Sequence, residues 1–312
     1  MQSEGFFRRI LLPVDESSPS MVSQELTVFL AKELGSRVTV LHVASDEIVI
    51  PLIERPQGIQ EIEPISVSAG GVPRAVEVPK PRGNALPEDV ISEISNWYVE
   101  RASRAIEETV GRFEKAGLTI EKKIIKHGDP ADAILSEVKK GSYDLIIMGN
   151  SSEGERDQHL GSVAKKVATH AEIPVLITRG NTKMSNLLVP VDGSEKSEQA
   201  LHYAKALAEK VNAKVTLLYV QESPLFTLKP EFSKEIGNGI LTNAAAKFTM
   251  TPPEVKLELG DPAKKIIETA EKGDFDLIIM SSHGHGTVKR FLMGSVSEHV
   301  LHYSNHSILL IK

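Results

Sequence analysis

Ile10-Leu11-Leu12-Pro13-Val14-Asp15-Glu16-Ser17 returns later in the chain as Leu187-Leu188-Val189-Pro190-Val191-Asp192-Gly193-Ser194. The offset is 192 − 15 = 177 residues, and it also carries Val38-Thr39-Val40-Leu41-His42-Val43 onto Val215-Thr216-Leu217-Leu218-Tyr219-Val220. Further on, His127-Gly128-Asp129-Pro130-Ala131 matches Leu259-Gly260-Asp261-Pro262-Ala263, and Tyr143-Asp144-Leu145-Ile146-Ile147-Met148 matches Phe275-Asp276-Leu277-Ile278-Ile279-Met280, both at offset 132. The first copy therefore holds 177 − 132 = 45 extra residues between its second and third matching blocks. A repeat of this kind makes each copy one folding unit, and 312 residues at roughly 150 per domain give two units. We expect the first over 1–180 and the second over 184–312, joined by the short polar stretch Gly180-Asn181-Thr182-Lys183.

In both copies short β-branched runs alternate with amphipathic stretches. Strands are expected near 8–14, 37–43, 120–126, 144–148 and 173–178, with helices near 18–34, 88–116, 130–140 and 162–171. The second copy repeats this with strands near 186–191, 214–220, 254–259, 276–280 and 307–311. Near-continuous apolar strands such as Leu145-Ile146-Ile147-Met148 suit a parallel sheet covered by helices on both faces. Each half reads as a five-stranded, doubly wound α/β domain of the Rossmann-like kind. Each also ends in an apolar strand, 173–178 or 307–311, that would aggregate as a bare edge, so the two are expected to meet in a pseudo-symmetric pair.

The extra residues lie within about 48–89, where Pro51, Pro56, Pro64, Pro73, Pro79, Pro81 and Pro87 exclude a regular helix or a central strand. We read this insertion as an irregular surface excursion, either passive or a flap for an unknown protein partner. Composition narrows the rest. Apolar residues make up 41%, and no run approaches the roughly 18 apolar residues of a membrane span. Met1 to Ile10 lacks a signal-peptide pattern, so a cytoplasmic location is expected. The net charge of 36 − 42 = −6 disfavours nucleic acid and anionic membranes as partners. With zero cysteines, chemistry must use oxygen, nitrogen or backbone groups.

In an open parallel sheet ligands bind beyond the carboxyl ends of the strands, where strand order reverses. In the second half those positions hold Pro190-Val191-Asp192 after the first strand, and Ser281-Ser282-His283-Gly284-His285-Gly286 after the fourth, with nine residues separating Gly284 from Gly294-Ser295. Ser295 is expected to cap a helix, with Glu298 completing a capping box. Free amides and the dipole at such an end favour an anion. Gly284 and Gly294 let backbone N–H groups approach phosphate oxygens, Ser295 and Ser297 offer hydroxyls, and Lys289 and Arg290 add positive charge. A polyphosphate fits. The alternative is that the glycines only shape a turn and Ser295 only caps; Asp192 fits a cap and a ligand contact equally well. His283, His285, His299, His302 and His306 lack an accompanying carboxylate cluster, so no metal site is expected. Asp129 before Pro130 reads as a helix start rather than as half of an acid–base pair with His127.

These residues resemble the universal stress protein family, whose signature is Pro-x-Asp after the first strand and, after the fourth, Gly-x-x-Gly, nine residues, then Gly-Ser/Thr. The resemblance covers two tandem copies. It implies adenosine contacts at Pro190, Val191, Asp192, Val220 and Met280, with phosphate contacts at Gly284, Gly294, Ser295, Val296 and Ser297. Ser281 and His283 complete the candidate set. ATP, or AMP, is the implied cofactor, with Mg²⁺ only as companion of the triphosphate. Ser281 stands where the signature has its first Gly. The first half departs further, with Ser152 for the second Gly and a loop carrying Glu153, Glu155 and Asp157 against Arg156, so weak or no ATP binding is expected there. The resulting expectation is a stress-response sensor acting through partners, possible also as a homodimer of tandem chains. The rivals are a slow ATP hydrolase or phosphate or adenylyl transferase, for which His283 and His285 are the available bases, and a nucleotide-independent scaffold.

Overall fold

The structure is a computed structural model that describes residues 6–44, 61–62, 88–150, 160–180, 182–222, 230–284 and 293–312, with backbone only for 61–62, 88–98 and 230–233. The first half runs β1 (Arg9–Val14), α1 (Ser18–Leu34), β2 (Arg37–Ala44), β3 (Glu61–Ile62), α2 (Glu88–Lys115), β4 (Ile120–His127), α3 (Pro130–Lys140), β5 (Leu145–Gly149), α4 (Ser162–His170) and β6 (Val175–Thr178). The second runs β7 (Asn186–Pro190), α5 (Glu195–Val211), β8 (Lys214–Gln221), α6 (Pro230–Ala245), β9 (Glu254–Leu259), α7 (Pro262–Lys272), β10 (Leu277–Ser281), α8 (Ser295–Tyr303) and β11 (Ser307–Ile311).

The eleven strands among the described residues form one sheet in the order β3-β4-β2-β1-β5-β6-β11-β10-β7-β8-β9. Pairing is parallel within each half, and strand order reverses between β1 and β5 and between β7 and β10, which fixes the two crevices. The halves meet where β6 runs antiparallel to β11, with Ile177 opposite Ile308, Leu176 opposite Leu309 and Val175 opposite Leu310. This is the expected pairing of the two apolar last strands. Pro174 stays just outside the ladder, where its missing N–H costs no pairing. One correction concerns the insertion: it supplies β3, which pairs with β4 and gives the first half a sixth strand. Two residues at an edge tolerate the flanking prolines that a central strand would not; the rest of 48–87 lies outside the described residues.

Successive strand residues face opposite layers. Ile10 and Leu12 enter a core under α1, α2 and α5, whereas Leu11 enters one under α3, α4, α7 and α8. Both cores are continuous across the junction. Ser17, Ser194, Asp129 and Asp261 cap α1, α5, α3 and α7 with their side chains. The Asp129 reading as a helix start therefore holds, with Pro130 as the first helical residue.

Two reciprocal contacts fasten the halves. The Arg179 guanidinium, 8% exposed, donates to the Leu301 carbonyl at 2.6 Å in the last turn of α8 and to Asn150 Oδ1 at 3.0 Å. Its repeat counterpart is Lys312 (312 − 179 = 133), whose ammonium donates to the carbonyl of Ala168, the counterpart of Leu301 (301 − 168 = 133). Each cation thus sits at the negative end of the other half's terminal helix. Burial pulls Arg179 down to about 10 and Lys312 down to about 8. Lys165 and Glu298, also 133 apart, meet each other across the same axis at 3.1 Å.

Candidate functional site

The second-half crevice begins where β7 ends. The Val191 N–H donates to the Leu218 carbonyl at 2.9 Å, which pins the turn to β8. Asp192 Oδ1 then accepts from the Ser194 N–H at 2.9 Å and its hydroxyl at 2.6 Å, while the Asp192 N–H donates to Ser197 Oγ at 3.2 Å. Ser194, not Asp192, caps α5. The capping alternative for Asp192 is thereby removed; its carboxylate is held in a turn above the strand ends. Pro190, Val220 and Ser281 are partly buried at the strand ends, and Val191 and Met280 are 6% and 5% exposed. Burial, with Asp192 and Glu222 nearby, raises the Tyr219 phenol above its usual range.

The β10–α8 side closes against that turn. A Cβ built at Gly284 would lie 2.8 Å from Asp192 Oδ2. Asp192 and Gly284, 92 residues apart, therefore frame one rim, and a side chain at 284 would push the carboxylate aside. The Ser281 hydroxyl donates to the His283 carbonyl at 2.6 Å, so the side chain that replaces glycine tightens the turn. In the first half the matching Gly149 is required by α1 instead, since a Cβ there would come within 2.7 Å of the Pro19 carbonyl carbon. His283 Nδ1 lies 3.0 Å from Ser282 Oγ.

At the helix end the structure corrects two expectations. Gly294 is the N-cap of α8 and Ser295 its first residue, so the cap position itself carries no side chain. Glu298 consequently makes no capping box; its carboxylate is the one paired with Lys165. The Ser297 hydroxyl, 3% exposed, does not face the crevice but donates to the carbonyls of Ser282 at 2.8 Å and Gly294 at 2.9 Å. The Gly294 N–H also donates to the Ser282 carbonyl, at 2.8 Å. This leaves the N–H groups of Ser295, Val296 and Ser297 at the N-terminal end of α8 without a partner among the described residues. Lys289, Arg290, His285 and Gly286 lie outside the described residues, as do Ser152, Glu153, Glu155, Arg156 and Asp157 of the first-half loop.

The equivalent first-half crevice is an open cavity of about 350 Å³ lined by Val14, Asp15, Leu41, Val43, Pro130, Ile134, Met148, Asn150, Gly161 and Val163 among others. Asp15 repeats the Asp192 turn, accepting from the Ser17 N–H at 3.0 Å and hydroxyl at 2.5 Å. Behind it, burial holds His42, the counterpart of Tyr219, below its usual pKa against the pull of Asp15 and Glu16. The sequence placed a degenerate copy of the site in this half, and Pro13, Val14, Asp15, Val43, Met148 and Gly161 match second-half site residues one for one. Among the described residues no group of three or more His, Asp or Glu is placed to hold a metal. His299 and His302 instead pack on Tyr303, with ring centroids 4.5 and 4.6 Å away. Among the described residues no helix is long and apolar enough to cross a membrane.

Fold and site together define a duplicated doubly wound α/β protein with a glycine-framed crevice at each strand-order reversal. The chain belongs to the universal stress protein family, whose sequence profile matches residues 78–179 and 184–312. It is similar to a universal stress protein of Mycolicibacterium smegmatis, 24% identical over 296 residues, which are 90% of this chain and 98% of that one. Its fold is similar to the crystal structure of a universal stress protein from Archaeoglobus fulgidus, with a TM-score of 0.67, 20% identity and 98% of each chain covered. A universal stress protein solved in complex with cAMP matches 41% of this chain and 97% of its own, at 24% identity and a TM-score of 0.35.

Proposed function

We propose that the second half binds an adenine nucleotide, ATP or AMP, and that the chain reports nucleotide state to a protein partner in a stress response. The observation that carries this reading is the approach of Asp192 Oδ2 to Gly284 beside the N-terminal N–H groups of α8. An acceptor-only carboxylate suits the hydroxyl donors of a ribose, and three amides that have no partner among the described residues, at the positive end of a helix dipole, suit phosphate oxygens. In this reading the base lies against Val191, Val220 and Met280 and the phosphates against Gly284, Gly294, Ser295, Val296 and Ser297. Ser297 contributes through its amide, since its hydroxyl is committed to the loop. Ser281 and His283 shape the turn beneath, and Pro190 sets its entry. Mg²⁺ enters as the counter-ion of a bound triphosphate.

In this reading the domain boundaries fall at 1–180 and 184–312, and the molecule works in the cytoplasm. Calorimetric titration of the intact chain with ATP and AMP tests it. Saturable binding to one site that Asp192→Ala weakens supports the reading; absence of binding by either nucleotide refutes it. ATP turnover above the uncatalysed background would favour the enzyme instead.

A further inference from the structure

We propose that the outer edge of β9 is a self-complementary docking surface, through which two copies of this chain join β9 to β9 in one continuous sheet. β9 ends the strand order, and among the described residues nothing pairs with its outer side. The first half closes the same edge from within, because β4, the repeat counterpart of β9, is flanked by β3 from the insertion that the second half lacks. The bare edge is apolar as well as unpaired. Val255 and Leu259 are 50% and 59% exposed, on the same face of the strand as Leu257, which packs on the core beneath α6. An edge of this kind is a template for another strand.

Backbone direction and charge together choose the partner and the register. The Gly260 N–H donates to the Gln221 carbonyl at 2.9 Å, so even-numbered residues of this strand turn their peptide groups inward to β8, and Val255, Leu257 and Leu259 turn theirs outward. Two antiparallel copies of β9 related by a two-fold axis at Leu257 exchange hydrogen bonds between the two Leu257 residues and, on either side, between Val255 and Leu259. The same register sets Lys256 opposite Glu258 twice, at the closely spaced positions that exchange no hydrogen bonds and bring side chains together. A slip of one residue turns outward groups against inward ones. A slip of two opposes either Lys256 to Lys256 and Glu254 to Glu258, or Glu258 to Glu258. Within one chain Lys256 reaches Glu254 of its own strand at 3.7 Å, a loose and partly exposed pair that gives way at little cost. Pro252 and Pro253 before the strand and Gly260 after it, at φ 140°, confine the pairing to these residues. A second copy thus satisfies apolar, hydrogen-bonding and charged groups in one register.

Sedimentation equilibrium of the intact chain at low ionic strength tests the register as well as the dimer. The parent is expected to dimerise. Lys256→Glu and Glu258→Lys should each weaken dimerisation by about tenfold or more, since each sets like charges at both symmetric contacts. Mixed in equal amounts, the two single variants should dimerise with each other, because each supplies the charge that the other needs at both contacts. The double exchange, Lys256→Glu with Glu258→Lys, should restore the homodimer. A parent that stays monomeric, a dimer that neither single variant weakens, or single variants that fail to pair when mixed overturns the proposal. The readout needs no nucleotide, so its failure and a failure of nucleotide binding are distinguishable.

Discussion

Replacing Lys312 by methionine should change how stability depends on pH, because this ammonium is buried at the junction between the halves. Burial lowers its pKa from 10.5 to about 8. A shift of that size, at about 1.4 kcal/mol per unit, penalises the charged form in the fold by on the order of 3 kcal/mol. The charged hydrogen bond to the Ala168 carbonyl offsets about 1.5–3 kcal/mol of a truncation's benefit. At pH 7 the two contributions nearly cancel, and Lys312→Met should leave stability within about 1 kcal/mol of the parent. The sign reverses the advantage at higher pH. The native chain sheds the proton before the unfolded chain does, so the penalty is fully present below pH 8 and is relieved as pH rises toward 10.5. Between pH 7 and pH 10 the parent should therefore gain on the order of 2–3 kcal/mol relative to Lys312→Met. Urea unfolding of both chains at the two pH values measures this difference. A stability gap that stays constant with pH would refute the burial of Lys312 and with it the reciprocal fastening of the halves.

Three further outcomes follow from the same structure. Asp192→Ala should weaken ATP binding about tenfold or more, whereas Asp15→Ala should change ATP affinity little, both read by calorimetry. Leu309→Ala, at a side chain 1% exposed in the strand that joins the halves, should cost about 2–5 kcal/mol in urea unfolding. Asp261→Ala removes the side-chain acceptor for the Lys264 N–H and should cost about 1 kcal/mol, visible as a lowered thermal midpoint without loss of ATP binding.

Much of this was legible because the chain states its plan twice. The strands follow from apolar runs such as Leu145–Met148, and the β6–β11 junction follows from two apolar edges that one chain can pair. What stayed hidden depends on contacts remote in sequence. Gly294-Ser295 resembles a capped helix start, yet Gly294 itself takes the cap position because its amide and the Ser297 hydroxyl both serve the Ser282 carbonyl. No local pattern tells a serine that caps from one that holds a loop twelve or more residues away. The β3 strand is two residues inside a proline-rich stretch, too short for any periodicity. Arg179 and Lys312 were readable only by aligning the ends of the two copies, where a cation follows each last strand.

Titration of the intact chain with ATP, comparing the parent with Gly294→Asp, tests the central claim most directly. Position 294 has the backbone of an ordinary N-cap, φ −66° and ψ 146°, and a Cβ there would lie 3.3 Å from the Ser282 carbonyl oxygen, so aspartate sets a carboxylate among the amides assigned to phosphate at the cost of a small local shift. The account predicts saturable binding by the parent and at least a tenfold loss in the variant. Equal ATP affinity in the two chains would contradict it.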